Sequence, residues 1–385
     1  MTVSVDLAAP AQGSVVSGTT DFTRDVVCIM GLAFDVVGMH EAAQRIRAAA
    51  VRRERCMVTT ANLNFVVAAR SDPDFRHSAL HSQLCVADGM PIVWVARLLG
   101  LPIRERVSGA GLFDTLMREA DATALRLYFF GGPPGAARAA SERINRQPGG
   151  MHCVGYESPG FVSVEAMSGE SSLQTIRAAR PDFLLVSLGA KKGQAWIERN
   201  FHRLEVPVVS HLGAVVNFAA GTLARAPRWM QAAGLEWLWR ILEEPGLWRR
   251  YARDALAFAR MCAGGVLPLV LQRLSARRSD RAAPGVAFSE AAESVSIRLS
   301  GELRRDELEP VRAAFAAASR SGGPIDIELH QVSLIDATAM GLFLLLHGHQ
   351  RDAGQPLALR GACAALRRQF CRQHTGFLLD EAPRR

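Results

Sequence analysis

Asp88 is the residue with the most chemistry to offer. It stands in Val86-Ala87-Asp88-Gly89-Met90-Pro91, after a short apolar run. The glycine there lets backbone come close to a ligand, and the proline is suited to start a helix. A carboxylate at such a strand end acts as a general base once burial or a neighbour brings its pKa toward the working pH, with a helix N-cap as the competing reading. Upstream, Thr59-Thr60-Ala61-Asn62-Leu63-Asn64 puts Thr60 and Asn62 two residues apart after another apolar run, placed to hydrogen-bond a sugar or an acceptor hydroxyl. The same pair would equally suit a helix N-terminus. Downstream, Arg104-Glu105-Arg106-Val107-Ser108-Gly109 supplies guanidinium groups that can pair with Asp88 or hold a phosphate.

Three further stretches suit anions. Gly131-Gly132-Pro133-Pro134-Gly135 reads as a strand-to-helix turn whose backbone N–H groups and helix terminus can face a nucleotide diphosphate. It is neither GxGxxG nor GxxxxGK[ST], so it is not a dinucleotide fingerprint or a P-loop. Gly189-Ala190-Lys191-Lys192-Gly193-Gln194 contains the chain's two lysines side by side, a phosphate or acidic-sugar contact or else a solvated charge pair. From Arg225 onward, arginines including Arg228 and Arg240 interleave with Trp229, Trp237, Trp239 and Trp248. That pattern suits a membrane interface, where aromatic rings sit at headgroup level and arginines meet lipid phosphate.

Positioning these residues requires a sheet. Apolar β-type runs at 56–60, 84–86, 125–130, 183–187 and 208–212 are each followed by a turn signal and a helix-like stretch. This alternation predicts an α/β fold, a Rossmann-like and mostly parallel sheet with helices on both faces, in which ligands sit outside the carboxyl ends of the strands. The expected boundaries are a flexible N-terminus over 1–25, a catalytic domain over 26–224, a basic helical membrane-facing appendage over 225–274 and a linker over 275–285. A small α/β unit follows over 286–385, with strands at 294–299, 325–328 and 356–360, a short 334–336 run leading into an apolar helix, and helices over 307–319 and 364–374.

The chain's 385 residues, 49% of them hydrophobic, provide ample core and exclude a disordered or disulfide-stapled polypeptide. Its formal net charge is +8, and residues 225–281 hold 11 arginines and five acids, a local +6. Concentration of the excess in one segment argues against a generally basic nucleic-acid binder and for a surface-seeking appendage, whose removal should cost lipid binding before it costs the fold. The seven cysteines are scattered without CxxC or Cys/His spacing, which favours a reducing compartment and disfavours structural zinc. No basic region followed by an apolar stretch opens the chain, so a cytoplasmic location is expected. The 17-residue run from Ala255 to Leu271 contains Arg260, paired glycines and Pro268, and reads as interfacial rather than spanning.

These pieces, in order, resemble the WecG/TagA/CpsF glycosyltransferases (glycosyltransferase family 26) from about Val26 to Arg260. The matching residues are Thr60-x-Asn62, Ala87-Asp88-Gly89, Glu105-Arg106-Val107-x-Gly109, Gly131-Gly132-x-x-Gly135, Gly155-Tyr156, Pro181-Asp182, Leu188-Gly189, Arg225-Ala226-Pro227 and Gly234-Leu235-Glu236-Trp237-x-x-Arg240. The resemblance implies inverting transfer, without an essential metal, from a UDP-sugar to a polyprenyl-diphosphate-linked acceptor at the inner face of the cytoplasmic membrane. The product would be an exopolysaccharide or other surface-glycan precursor, and the sugar N-acetylmannosamine, its uronic acid or glucose. Carried over, Asp88 is the base, Thr60, Asn62 and Arg106 share its pocket, and Arg225, Arg228 and Arg240 meet diphosphate or headgroup charge. The remaining substrate contacts expected are Gly131, Gly132, Gly135, Tyr156, Gly189, Lys191, Lys192 and Gln194. The chain departs from the family at Lys191-Lys192-Gly193-Gln194, at Gly111 and at Asn217.

The last hundred residues resemble a STAS domain through Val332-Ser333-Leu334-Ile335-Asp336-Ala337-Thr338-Ala339-Met340-Gly341-Leu342. The residue after the aspartate, a phosphorylated serine in switchable members, is Ala337, with Thr338 next to it. A protein-docking module without the switch is expected. The departures also keep open a non-catalytic scaffold that presents the STAS module to a protein partner, and the sequence leaves the oligomeric state open, a homo-oligomer included.

Overall fold

The computed structural model describes residues 20–119, 124–147, 149–275, 283–291 and 294–380. Strands β1 (Val26–Ile29) and β2 (Leu32–Asp35) form an antiparallel hairpin. Strands β3 (Cys56–Ala61), β4 (Leu84–Ala87), β5 (Leu125–Gly131), β6 (Met151–Glu157), β7 (Phe183–Ser187) and β8 (Val208–His211) form one parallel sheet in the order β4-β3-β8-β7-β5-β6. Every residue of β3, β4, β7 and β8 is buried, which is why these segments read as mostly apolar runs rather than alternating ones.

Helices cover both faces. On one, Met39–Arg52, Gly109–Arg118, Ala136–Asn145 and Val215–Ala220 pack over Val58, Val86, Phe129 and Leu185. On the other, Glu170–Ala178 and Ala190–Asn200 pack over Met57, Phe130 and Val209, and Leu63–Ser71 and Met90–Leu99 over Ala61 and Cys85. The neighbours β3 and β8 therefore lead into helices on opposite faces, and the crevice between their carboxyl ends is the topological switch point where such sheets bind ligands.

The C-terminal unit is a four-stranded sheet, β12-β11-β10-β9, of β9 (Gly285–Ala291), β10 (Ser294–Leu303), β11 (Ile325–Ile335) and β12 (Leu357–Arg360). The predicted short runs at 325–328 and 334–336 are the two ends of β11, whose register against β10 shifts twice. The helix Ala337–Asp352 is buried without a break from Thr338 to Gly348. A helix that is apolar all round must be covered on every side. The C-terminal sheet covers one side, and the β1–β2 hairpin and helix Pro73–Leu80 of the large domain cover another. A Cβ on Gly341 would lie 3.0 Å from Val26 Cγ2, and one on Gly348 would lie 3.4 Å from Leu80 Cβ. One core, running from Phe22 to Leu378, joins the two units.

That packing corrects two expectations. Residues 20–25 belong to the fold: Phe22 is buried, Arg24 makes a buried 2.6 Å ion pair with Asp35, and Arg312 donates to the Arg24 carbonyl at 2.8 Å. Residues 1–19 of the predicted N-terminus and 276–282 of the predicted linker lie outside the described residues. The appendage comprises Arg228–Ala233, Glu236–Glu243, Trp248–Met261, a π-helical turn Cys262–Val266 and Leu267–Ser275. It is not separable from the fold, because Met261 and Val266 enter the shared core and a Cβ on Gly265 would meet the Arg372 carbonyl at 2.4 Å. Thr338, beside Ala337, is 3% exposed.

Candidate active site

Thr60 and Asp88 meet at the switch point. Within the parallel pair β3–β4, Ala61 is opposite Ala87, so the two chains leave the sheet side by side, and the Asp88 N–H donates to the Ala61 carbonyl at 2.9 Å. Asp88 Oδ2 accepts from the Gly109 N–H at 3.1 Å, where helix Gly109–Arg118 begins. Gly109 fills a close approach: a Cβ there would lie 2.7 Å from Leu212 Cδ2 and 3.3 Å from Thr60 Oγ1. The absence of a side chain at Gly109 thus brings hydroxyl, carboxylate and helix terminus into one pocket.

Burial pushes the Asp88 carboxyl from its ordinary 3.8 up to about 6. The Gly109 N–H and the charges of Arg106 and Arg225 oppose the rise, and Glu236 adds to it. A carboxylate with that affinity for a proton accepts one from a hydroxyl nucleophile far better than a solvated aspartate does.

Arg106 reaches this pocket through a partner that the sequence did not single out. It forms a two-pronged pair with Glu236, Nη1–Oε2 and Nη2–Oε1 both 3.0 Å, so the appendage is bolted beside Asp88. Gly234 sits just before it with φ +74°, where a Cβ would be 2.4 Å from Met90 Cγ. A second tie joins Asn64 Nδ2 to the buried Asp254 at 3.1 Å. Asn62 is the N-cap of Leu63–Ser71, its side chain accepting from the Phe65 N–H at 3.2 Å, so the capping reading holds for it while its Cβ flanks Gly89.

The other predicted residues are spread along the sheet's carboxyl edge. Gly131 and Gly132 have φ of +94° and +93°, and the Gly132 N–H is spent on the Ser187 carbonyl at 2.7 Å, which stitches β5 to β7. Gly135 caps Ala136–Asn145 and Gly189 caps Ala190–Asn200, both with open space around them. Tyr156 is half exposed on the edge strand β6, about 19 Å from β3 at four strand spacings. The structure therefore does not bring it to Asp88.

Two expectations about the lysine turn change. Lys191 pairs with Asp72 at 2.8 Å and Lys192 donates to the Val162 carbonyl at 3.1 Å, so they splay apart instead of converging on one anion. Gln194 is 1% exposed and donates to Thr59 Oγ1 at 3.1 Å, on the sheet face opposite Thr60, so it braces helix to strand and does not line the cleft.

Arg225 pairs with Asp114 and lines a cleft of about 370 Å³ between helices Gly109–Arg118 and Val215–Ala220, with Arg143 on its other wall. Arg143 was missed because nothing in its helical sequence context marks it. Arg240 reaches Glu244 at 3.3 Å along its own helix, and the Arg228 side chain lies outside the described residues. His211, at the end of β8, was also missed. Its Nε2 lies 2.6 Å from the Leu188 carbonyl, and burial holds its pKa below the ordinary value against that hydrogen bond. Its ring also accounts for one departure from the family, since a Cβ on Gly193 would fall 2.1 Å from His211 Cδ2. A Cβ on Gly111 would meet only mobile side-chain ends, Met39 Cε at 2.8 Å and Ser108 Oγ at 2.9 Å, so nothing in the structure explains that departure.

A doubly wound parallel sheet with a desolvated carboxylate at its switch point defines a Rossmann-like α/β enzyme domain. The chain belongs to the WecG/TagA/CpsF family of glycosyl transferases, whose family model matches residues 27–270, and it is a glycosyltransferase. A second model, Mlab, STAS domain, matches residues 286–374. Among similar proteins, the N-acetylglucosaminyldiphosphoundecaprenol N-acetyl-beta-D-mannosaminyltransferase of Bacillus spizizenii (strain W23) is 29% identical over 193 residues, 50% of this chain and 73% of the relative. The enzyme of the same name from Bacillus subtilis (strain 168) is 26% identical, over 50% of this chain and 74% of the relative. That from Staphylococcus aureus (strain MW2) is 24% identical, over 59% and 87%. A solved structure of arylmalonate decarboxylase covers 49% of this chain and 79% of its own at 17% identity with a TM-score of 0.18, a likeness too low to bear on the fold.

Proposed function

We propose that this enzyme transfers a hexose derivative from a UDP-sugar to a hydroxyl of a sugar carried on polyprenyl diphosphate, with inversion at the anomeric carbon, to build a surface-glycan precursor. The observation that carries the reading is the Asp88 carboxylate, raised to about 6 beside Thr60 at the switch point. Asp88 takes the proton as the acceptor oxygen attacks, Thr60 orients that oxygen, and the departing diphosphate is met by Arg225 and Arg143 in the adjoining cleft. No metal is needed in this scheme, because guanidinium groups take up the leaving-group charge. The relatives' printed names support the lipid-diphosphate acceptor and a mannosaminyl-type sugar.

The acceptor's lipid would be met at a membrane. Trp229, Trp237, Trp248, Leu242, Leu256 and Leu271 are exposed on the appendage, among its arginines. The helical run Pro245–Leu274 is apolar and long enough to cross a bilayer. It contains Arg249, Arg250, Arg253 and Arg260, and its ties through Asp254 and Gly265 to the fold favour lying on the cytoplasmic face over spanning. A donor screen with a short-chain lipid-diphosphate-sugar acceptor tests the proposal by reading UDP release and product configuration. Retention of configuration, or no turnover with any UDP-sugar by folded protein, would overturn it, the latter in favour of the scaffold reading.

A further inference from the structure

Away from the switch point, four side chains from three helices converge at the seam between the two domains. His77, in Pro73–Leu80, and His81, at its C-cap, stand one helical turn apart with rings stacked at 5.9 Å. Glu198 comes from Ala190–Asn200 and Asp352 from the last turn of the C-terminal domain's buried helix. One donor atom from each lies within 4.8 Å of the others, and His77, His81 and Glu198 are partly buried while Asp352 lies at the exposed rim. The individual separations are 2.8 Å for His77 Nε2 to Asp352 Oδ1, 2.9 Å for His81 Nδ1 to Glu198 Oε1, 3.5 Å for His81 Nε2 to Asp352 Oδ2 and 3.7 Å for His77 Nε2 to Glu198 Oε1.

We propose that these residues bind one divalent transition-metal ion of the Zn²⁺ class, which pins the STAS domain to the glycosyltransferase domain. Tetrahedral Zn²⁺ with bonds of about 2.0–2.1 Å separates its donor atoms by about 3.3 Å, within the 4.8 Å that spans one donor atom from each of the four residues. Two imidazoles and two carboxylates suit Zn²⁺, whereas Ca²⁺ and Mg²⁺ prefer all-oxygen shells of six or more ligands. Glu198 and Asp352 supply two carboxylates, the formal charge that offsets one divalent ion. Glu198 Oε2 is buried and without a hydrogen-bond partner, so nothing else in the seam holds that carboxylate in place. His77 Nδ1 is buried and unpartnered as well, so Nε2 alone fixes that ring. The site is remote from Asp88 and has no part in the transfer chemistry. Its acids come from distant segments, so scanning for Cys/His spacing did not reveal it.

The test is isothermal titration of ZnCl₂ into the tag-free full chain after chelator treatment, in a Cys363→Ser/Cys371→Ser background, because those two thiols are exposed. One equivalent is expected to bind, with at least tenfold weaker affinity in Asp352→Asn and in His81→Gln. Asp352→Asn preserves side-chain shape, His81→Gln places an amide at similar reach, and circular dichroism checks the folding of both. Co²⁺ should give the visible bands of a four-coordinate ion in the parent and not in His81→Gln. Added Zn²⁺ should raise the melting temperature of the parent and not of Asp352→Asn. Failure to retain Zn²⁺, affinity unchanged by both variants, or a six-coordinate Co²⁺ spectrum would each overturn the proposal and leave an imidazolium–carboxylate network.

Discussion

Replacing Asp88 by asparagine should abolish activity while making the protein more stable, and the two effects have one cause. The asparagine amide oxygen can keep the bond from the Gly109 N–H, so the pocket's shape survives while the proton acceptor is lost. A positioned general base contributes about 10²–10⁴-fold, so kcat should fall by at least about 100-fold. Raising the Asp88 pKa from 3.8 to about 6 corresponds to about 3 kcal/mol. Between those values the folded state holds more protons than the unfolded one, so stability falls as pH rises. The contribution of Asp88 is fully present below about 3.8 and lost as pH climbs through about 6. The uncharged asparagine carries no such penalty. The variant should therefore gain up to about 3 kcal/mol over the parent at pH 8, a few degrees of melting temperature, and about half as much at pH 5. Denaturant titration at both pH values, alongside a UDP-release assay, measures both effects. Activity above a tenth of the parent's would refute the base assignment, and a stability gain equal at pH 5 and pH 8 would refute the burial account of the pKa.

Other perturbations follow from the same contacts. In the parent, kcat/KM should fall about tenfold per pH unit below about 6; Arg106→Gln should move that limb upward and Glu236→Gln downward, because their charges act on Asp88 with opposite sign. Gly234→Val should cost about 1–3 kcal/mol and raise KM, since its Cβ would drive Met90 and the appendage apart, as chemical denaturation and acceptor titration will show. Thr338→Asp should destabilise by more than about 2 kcal/mol while Thr338→Val stays nearly neutral, because that side chain is buried against the core. Changing Trp237, Trp248 and Leu256 to serine should weaken sedimentation with anionic vesicles while leaving the melting temperature nearly unchanged, since all three are exposed.

The five large-domain strands read from apolar runs correspond to β3, β4, β5, β7 and β8, because a parallel strand buried on both faces is mostly apolar along its length. Asp88 and Thr60 were legible for a related reason: a polar residue directly after such a run, or at its last positions, marks the sheet's carboxyl edge. The β1–β2 hairpin escaped because its strands are four residues each and draw their burial from Ala337–Asp352, remote in sequence, and the seven-residue β6 escaped because as an edge strand it is only partly buried and carries His152, Gly155 and Glu157 among its apolar residues.

Amino-acid order by itself thus determined the alternation of strands and helices, the strand-end carboxylate and the concentration of arginine in one appendage, all consequences of local patterning. Tertiary structure decided which of those residues meet. It joined Arg106 to Glu236, turned Gln194 to the opposite face from Thr60, spread the two lysines onto separate partners and gathered His77, His81, Glu198 and Asp352 at one seam. It also made the C-terminal domain part of the enzyme's core. A helix with apolar residues on every side announces that it will be covered, but only packing shows by what.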